Sequence, residues 1–183
     1  DMVGYAFELS EALQEPVLFR TTTRLNHSTA PVEFGPIKVP MTSGDFTRDP
    51  FNYVTVPAVS RNLHIKLLKH IEEAEKKACE SPYNFTVGDG AWGIVCNGVS
   101  YNYVTDAVKD LNIGDRTRIL RVGFSHPMPG QLIKEFLSEC EKVLIVEEGE
   151  PYMEETVKAL AQEAGLTLSI KGKDPALFSR LFE

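Results

Sequence analysis

From Trp92 onward, short apolar runs alternate with amphipathic stretches. "WGIVCNG", "RILRVGF", "KVLIVEE" and "LTLSI" are rich in Val, Ile and Leu and are spaced by stretches of helical period. "SYNYVTDAVKDL" places Val104, Ala107, Val108 and Leu111 on one side, and "PGQLIKEFLSEC" does the same with Leu132, Ile133, Phe136 and Leu137. "PYMEETVKALAQEAG" supplies a third helix. None of the apolar runs alternates cleanly with polar residues, so the strands they predict are buried on both faces. That pattern belongs to an α/β domain with a mostly parallel sheet flanked by helices and right-handed crossovers.

The first half of the chain has a different pattern. "GYAFELSEALQ" sets Tyr5, Leu9, Ala12 and Leu13 on one helical face, and Pro16 ends that period before the apolar run "VLFR", which predicts a short strand. A lone helix–strand unit cannot form a layer. Residues 1–30 are therefore expected to be the tail of a domain whose body the chain does not contain. Residues 31–56 carry four prolines and two glycines without period and predict a linker. Beyond it, Leu63, Leu67, Ile71, Ala74 and Ala78 recur at helical steps, with Pro57 suited to the first turn and Ser81-Pro82 as the stop. That helix spans about 35 Å at roughly 1.5 Å per residue. The expected boundaries are thus 1–30, a linker with connecting helix over 31–83, and the α/β domain over 84–183.

Composition narrows the partners. The chain has 183 residues, 43% of them hydrophobic and 25% charged, enough for a sizeable core. A net charge of −7, with lysines and arginines interspersed among glutamates, argues against nucleic acid. No apolar run reaches the ~20 residues of a membrane helix. Cys79, Cys96 and Cys140 are isolated and lack C-x-x-C spacing, as expected of reduced thiols in a cytoplasmic protein.

Four stretches carry candidate chemistry. "VGDGAWG" (87–93) has the Gly-Asp-Gly that can hold a magnesium diphosphate through Asp89, but the next residues, "IVCNG", read as strand rather than helix, so a hairpin or tight turn is expected. "GFSHPMPGQ" offers His126 as a general base with no carboxylate near it in sequence, against a structural role for Pro127 and Pro129 in starting a helix. "EEGEPYMEE" clusters carboxylates that could hold a hard cation; the competing role is a helix start at Pro151 with acids at the positive dipole end. "RTTTRLNHS" (20–28) concentrates hydrogen-bonding groups just past the predicted strand. Open α/β sheets place ligands at that end of a strand, and a guanidinium with threonine hydroxyls suits a carboxylate. A solvated surface loop is the alternative.

Taken in order, "ELSEALQEPVLFRTTTRLNHS", "VPAVSRNLH", "GIVCNGVSYNYVTDAVKDL" and "VLIVEEGEPYMEE" resemble the alpha subunits of archaeal-type indolepyruvate:ferredoxin oxidoreductases, of the thiamine-diphosphate-dependent 2-oxoacid:ferredoxin oxidoreductase family. The resemblance covers essentially the whole chain. It implies a transketolase C-terminal-like domain preceded by a helix–strand remnant of a pyrimidine-binding domain. It also implies thiamine diphosphate, Mg2+ and two 4Fe-4S clusters in the full-length subunit, none of them held by this stretch. The implied partners are the beta subunit, ferredoxin, a 2-oxoacid and coenzyme A. The implied reaction is oxidative decarboxylation of an aryl pyruvate, and this stretch alone is expected to be inactive. Related pyruvate enzymes have an Arg-Thr-Ser-His loop whose arginine binds the substrate carboxylate. Arg24-Leu25-Asn26-His27 falls on that pattern, which makes Arg24 the expected clamp, His27 its support, and Thr22 and Thr23 the accessory hydroxyls in place of the two lost to Leu25 and Asn26. A pyruvate or 2-oxoglutarate enzyme, or a non-catalytic α/β interaction module, remains the alternative.

Overall fold

The computed structural model describes residues 2–36, 44 and 47–173, apart from the Arg24 side chain. The chain divides into two compact units, Asp1–His70 and Ile71–Glu183, and one long helix runs through the division.

In the first unit, α1 (Met2–Leu13) forms where the helical period predicts it and buries Leu9 and Leu13. Gln14 then takes a left-handed conformation (φ 54°), and Ser10 Oγ donates to the Glu15 carbonyl at 2.8 Å. The predicted strand at Pro16–Phe19 is absent. Leu18 is 95% exposed and Phe19 46%, and no neighbouring strand among the described residues pairs with them. A strand needs a ladder partner to satisfy its backbone, so the apolar run alone does not make one. A single-turn helix, α2 (Thr23–His27), comes next instead. Further on, α3 (Pro50–Tyr53) begins with Asp49 Oδ1 accepting from the Phe51 amide at 3.1 Å, an N-cap contact. The long helix α4 (Pro57–Cys79) starts and stops as its punctuation predicts. Lys66 on α4 donates to Gln14 Oε1 at 3.1 Å and Asn52 Oδ1 at 2.9 Å, and His70 Nδ1 lies 2.8 Å from Glu15 Oε1.

In the second unit five strands form one sheet, β1 (Asn84–Val87), β2 (Trp92–Asn97), β3 (Thr117–Val122), β4 (Lys142–Val146) and β5 (Ser169–Lys171), in the order β1-β3-β2-β4-β5. All pairings are parallel except β1 against β3. Alternate residues of the central strands point to opposite faces. Val95, Leu120, Val143 and Ile145 meet α6 (Gly130–Ser138) and α7 (Tyr152–Glu163) through Ile133, Phe136, Leu137, Met153 and Val157. On the other face Cys96 and Ile119 meet Val104 of α5 (Ser100–Asp110). The mostly parallel, helix-flanked α/β sheet read from the sequence is thus present. The antiparallel edge strand β1 is an addition, and it changes the turn after it. Residues 88–91 do not close a hairpin, because β3 lies between β1 and β2.

Candidate functional site

The segment singled out in sequence folds locally around Thr22. Its extended backbone (φ −89°, ψ 157°) makes it the N-cap of α2, and its Oγ1 accepts from the Leu25 amide at 3.3 Å. The Asn26 amide bonds the Thr22 carbonyl at 3.0 Å, and Ser28 closes the other end through its amide (3.2 Å) and hydroxyl (2.7 Å) on the Leu25 carbonyl. Threonine is a favourable cap because its hydroxyl reaches back to the helix amides, and as an acceptor it keeps its own proton free to donate. Thr23 and His27 lie in α2 and are exposed. Arg24 has helical backbone between them; its side chain lies outside the described residues. The four candidates thus share one turn and its cap, on a segment with almost no cover of its own.

The carboxyl ends of β2, β3 and β4, where ligands sit in open α/β sheets, carry a second set of polar groups. Glu147, buried just past β4, accepts from the Met153 and Glu154 amides at 2.8 and 2.9 Å, so it caps α7. Glu154 and Glu155 occupy the first turn of α7, beside its positive dipole end. The acidic cluster is therefore a helix start, and no group of three or more His, Cys, Asp or Glu among the described residues converges on a metal position. His126 Nδ1 lies 3.1 Å from the Tyr152 hydroxyl, so its partner is a phenol rather than a carboxylate. Beside α5, Ile94, Tyr103, Val104, Leu111, Leu144 and Val146 help line a groove of about 280 Å³. Its walls are apolar and offer nothing to grip a carboxylate.

The cofactor candidates do not fit. Asp89 is exposed in a turn in which its carbonyl, and that of Gly90, accept from Arg118. Arg118 is fixed in turn by Glu139. Gly90 packs so closely on the Arg116–Thr117 backbone that an added Cβ would come within 2.0 Å of it. The next element is a strand, not a helix amino end, so nothing aims a row of backbone amides at a diphosphate. Of the cysteines, Cys96 is fully buried and its thiol is pushed up to about 12 by burial, only partly offset by Arg121. The Cys140 thiol is also raised by burial, against the Arg118 charge. Thiolate ligands for iron call for the opposite environment.

No family model matches the chain. The decisive similarity is to individual relatives. Over its full length the chain is 40% identical to indolepyruvate oxidoreductase subunit IorA of Methanothermobacter thermautotrophicus. This chain belongs to the IorA family. Subunit IorA of Pyrococcus abyssi is also 40% identical over the full chain, and that of Archaeoglobus fulgidus is 35% identical over 87% of it. The chain spans 26–30% of the length of these IorA relatives. Among solved structures, a 2-oxoglutarate:ferredoxin oxidoreductase from Magnetococcus marinus superimposes at a TM-score of 0.44 with 18% identity, covering 66% of this chain and 21% of that one. A split-gene transketolase superimposes at 0.40 with 21% identity, covering 48% of this chain and 30% of that one.

Proposed function

We propose that this chain is a stretch of the alpha subunit of an indolepyruvate:ferredoxin oxidoreductase, which oxidatively decarboxylates aryl pyruvates in the cytoplasm. The full-length 40% identity to subunits of that name carries the proposal. The reaction's cofactors, thiamine diphosphate with Mg2+ and two 4Fe-4S clusters, belong to other parts of the complete subunit. The beta subunit and ferredoxin are its protein partners, and coenzyme A takes the acyl group. What the chain's own residues contribute is grip on the 2-oxoacid. Arg24 meets the substrate carboxylate with two parallel N–H bonds, the Thr22 and Thr23 hydroxyls donate alongside it, and His27 supports the turn. The Thr22 cap holds the one-turn helix on which Arg24 lies, which supports that reading.

The test is turnover by the complete two-subunit enzyme carrying this chain. Indolepyruvate should exceed pyruvate and 2-oxoglutarate in kcat/KM by at least about tenfold, the discrimination expected of a pocket that accepts a large apolar side chain. A preference for pyruvate or 2-oxoglutarate overturns the aryl assignment, and no turnover of any 2-oxoacid overturns the oxidoreductase assignment.

A further inference from the structure

One arginine of the sheet domain is held by two aromatic rings and by no acceptor among the described residues. Arg121, next to last in β3, lies opposite Cys96 of β2 and Phe85 of β1. Its guanidinium carbon is 5.4 Å from the Phe85 ring centre and 5.3 Å from that of Tyr101 on α5. The two rings are 5.8 Å apart and meet edge to face at 80°. The three planar groups make a nearly equilateral triangle, and the rings hold the charge by their π faces while leaving every N–H unmet. Nε is buried with no hydrogen-bond partner. The terminal nitrogens have no acceptor among the described residues either, and no ion pair reaches them.

Several other basic residues of this domain have a counter-charge or a ring of their own. Arg118, on the same strand, is held by Glu139 and two carbonyls. Arg116 and Lys142 each lie 3.7 Å from the Trp92 ring centre, Lys134 pairs with Glu163, and Lys158 pairs with Glu154. No ion pair to Arg121 forms among the described residues. The first turn of α5, which carries Tyr101, has no acidic residue. The ionisable group facing Arg121 across the sheet is Cys96, whose thiol burial keeps protonated far above neutral pH. Of the guanidinium nitrogens only Nε is both buried and unpartnered, so the terminal nitrogens face solvent, the side from which a ligand can reach them.

We propose that Arg121, framed by Phe85 and Tyr101, is a binding site for a small oxyanion, a carboxylate or phosphate group taken end-on by the two terminal nitrogens. The planar fork matches two oxygens of such a group. The aromatic pair limits the rotamers of the guanidinium and so lowers the ordering cost of binding. The site is separate from the Arg24 segment and does not depend on the oxidoreductase proposal.

The experiment uses the complete subunit carrying this chain, labelled with nitrogen-15 at its arginines and tyrosines, titrated with inorganic phosphate and separately with acetate while chloride keeps ionic strength constant. The Arg121 Nε–Hε resonance should shift with saturation, and Arg121→Met should weaken the apparent affinity at least about tenfold, as judged from the neighbouring Tyr101 amide. Saturation by phosphate alone assigns a phosphate-bearing ligand; saturation by both assigns an oxyanion site open to carboxylates. If neither anion moves the Arg121 resonance beyond the chloride control, the proposal is wrong. The wild-type titration decides this even if the variant does not fold. An Arg121→Met chain that saturates like the wild type overturns it equally.

Discussion

Gly90 shows how closely single residues of the sheet domain are constrained. With Gly88 in a left-handed conformation (φ 80°), it turns the chain so that its α-carbon lies against the start of β3, where a Cβ would meet Arg116 and Thr117 backbone atoms at 2.0–2.3 Å. Backbone cannot move aside as a flexible side chain can, so Gly90→Ala should cost about 3 kcal/mol, read as a lower urea midpoint at unchanged m. Glu147 is held as tightly by electrostatics. Glu147→Gln keeps the shape but turns an amide NH2 toward one of two backbone donors, and should cost about 1–2 kcal/mol. Cys96 links stability to pH. Its folded thiol is raised from an ordinary 9.0 to about 12, so its contribution is complete below pH 9 and is lost as pH climbs from 9 toward 12. Between pH 8 and 10.5 the urea midpoint of the wild type should fall more steeply than that of Cys96→Ala; parallel slopes would contradict the burial assigned to this thiol. Gly-Asp-Gly was legible in sequence as a turn and the acidic cluster as a helix start. The partner of Glu147 was not, because the contact depends on how β4 and α7 meet.

Among the elements, helices and parallel strands were legible because each carries its own period and punctuation. The short helices α2 and α3 were not read at all, and the two misread strands were elements whose fate lies outside themselves. Pro16–Phe19 has the composition of a strand, but no neighbour among the described residues offers it a ladder. β1 is only four residues long, and its signal is a buried asparagine rather than an apolar run. Asn84 Nδ2 donates to the Ala78 and Phe124 carbonyls at 2.8 and 2.9 Å, and its Oδ1 accepts from the Gly123 and Phe124 amides at 2.7 and 2.8 Å. One side chain thereby ties the end of α4, the start of β1 and the end of β3. Asn84→Asp keeps the size but places an oxygen against two carbonyl oxygens, and Asn84→Ala takes away all four bonds, leaving the Gly123 amide its bond to the Tyr83 carbonyl and the Ala78 carbonyl its bond from the Ser81 amide. Each should lower stability by about 2–4 kcal/mol. Hydrogen exchange should show the loss at the Gly123 and Phe124 amides first. Unaltered protection there would mean that Asn84 does not secure the edge strand.

For the whole molecule, the two units differ in how completely they bury their own side chains. The sheet domain has an apolar core on both faces. The first unit leaves Phe7, Leu18, Leu25, Phe34 and Phe51 exposed, and it is the unit that carries the proposed substrate grip. Fold class was therefore readable from one half of the sequence, whereas the chemistry proposed for the other half rests on the resemblance of "RTTTRLNHS" to a carboxylate-binding loop. Spacing alone left a solvated loop equally possible, because a short polar segment with little cover looks the same in either role. The central claim is that Arg24 seizes the acid group of a 2-oxoacid. It is tested most directly by steady-state kinetics of the complete oxidoreductase bearing Arg24→Ala, with Arg20→Ala as the neighbouring control. The account predicts that Arg24→Ala raises KM for indolepyruvate roughly ten- to hundredfold, the loss of a charge-assisted pair, while Arg20→Ala leaves it near the wild-type value. An unchanged KM in the Arg24 variant, with normal assembly, would contradict it.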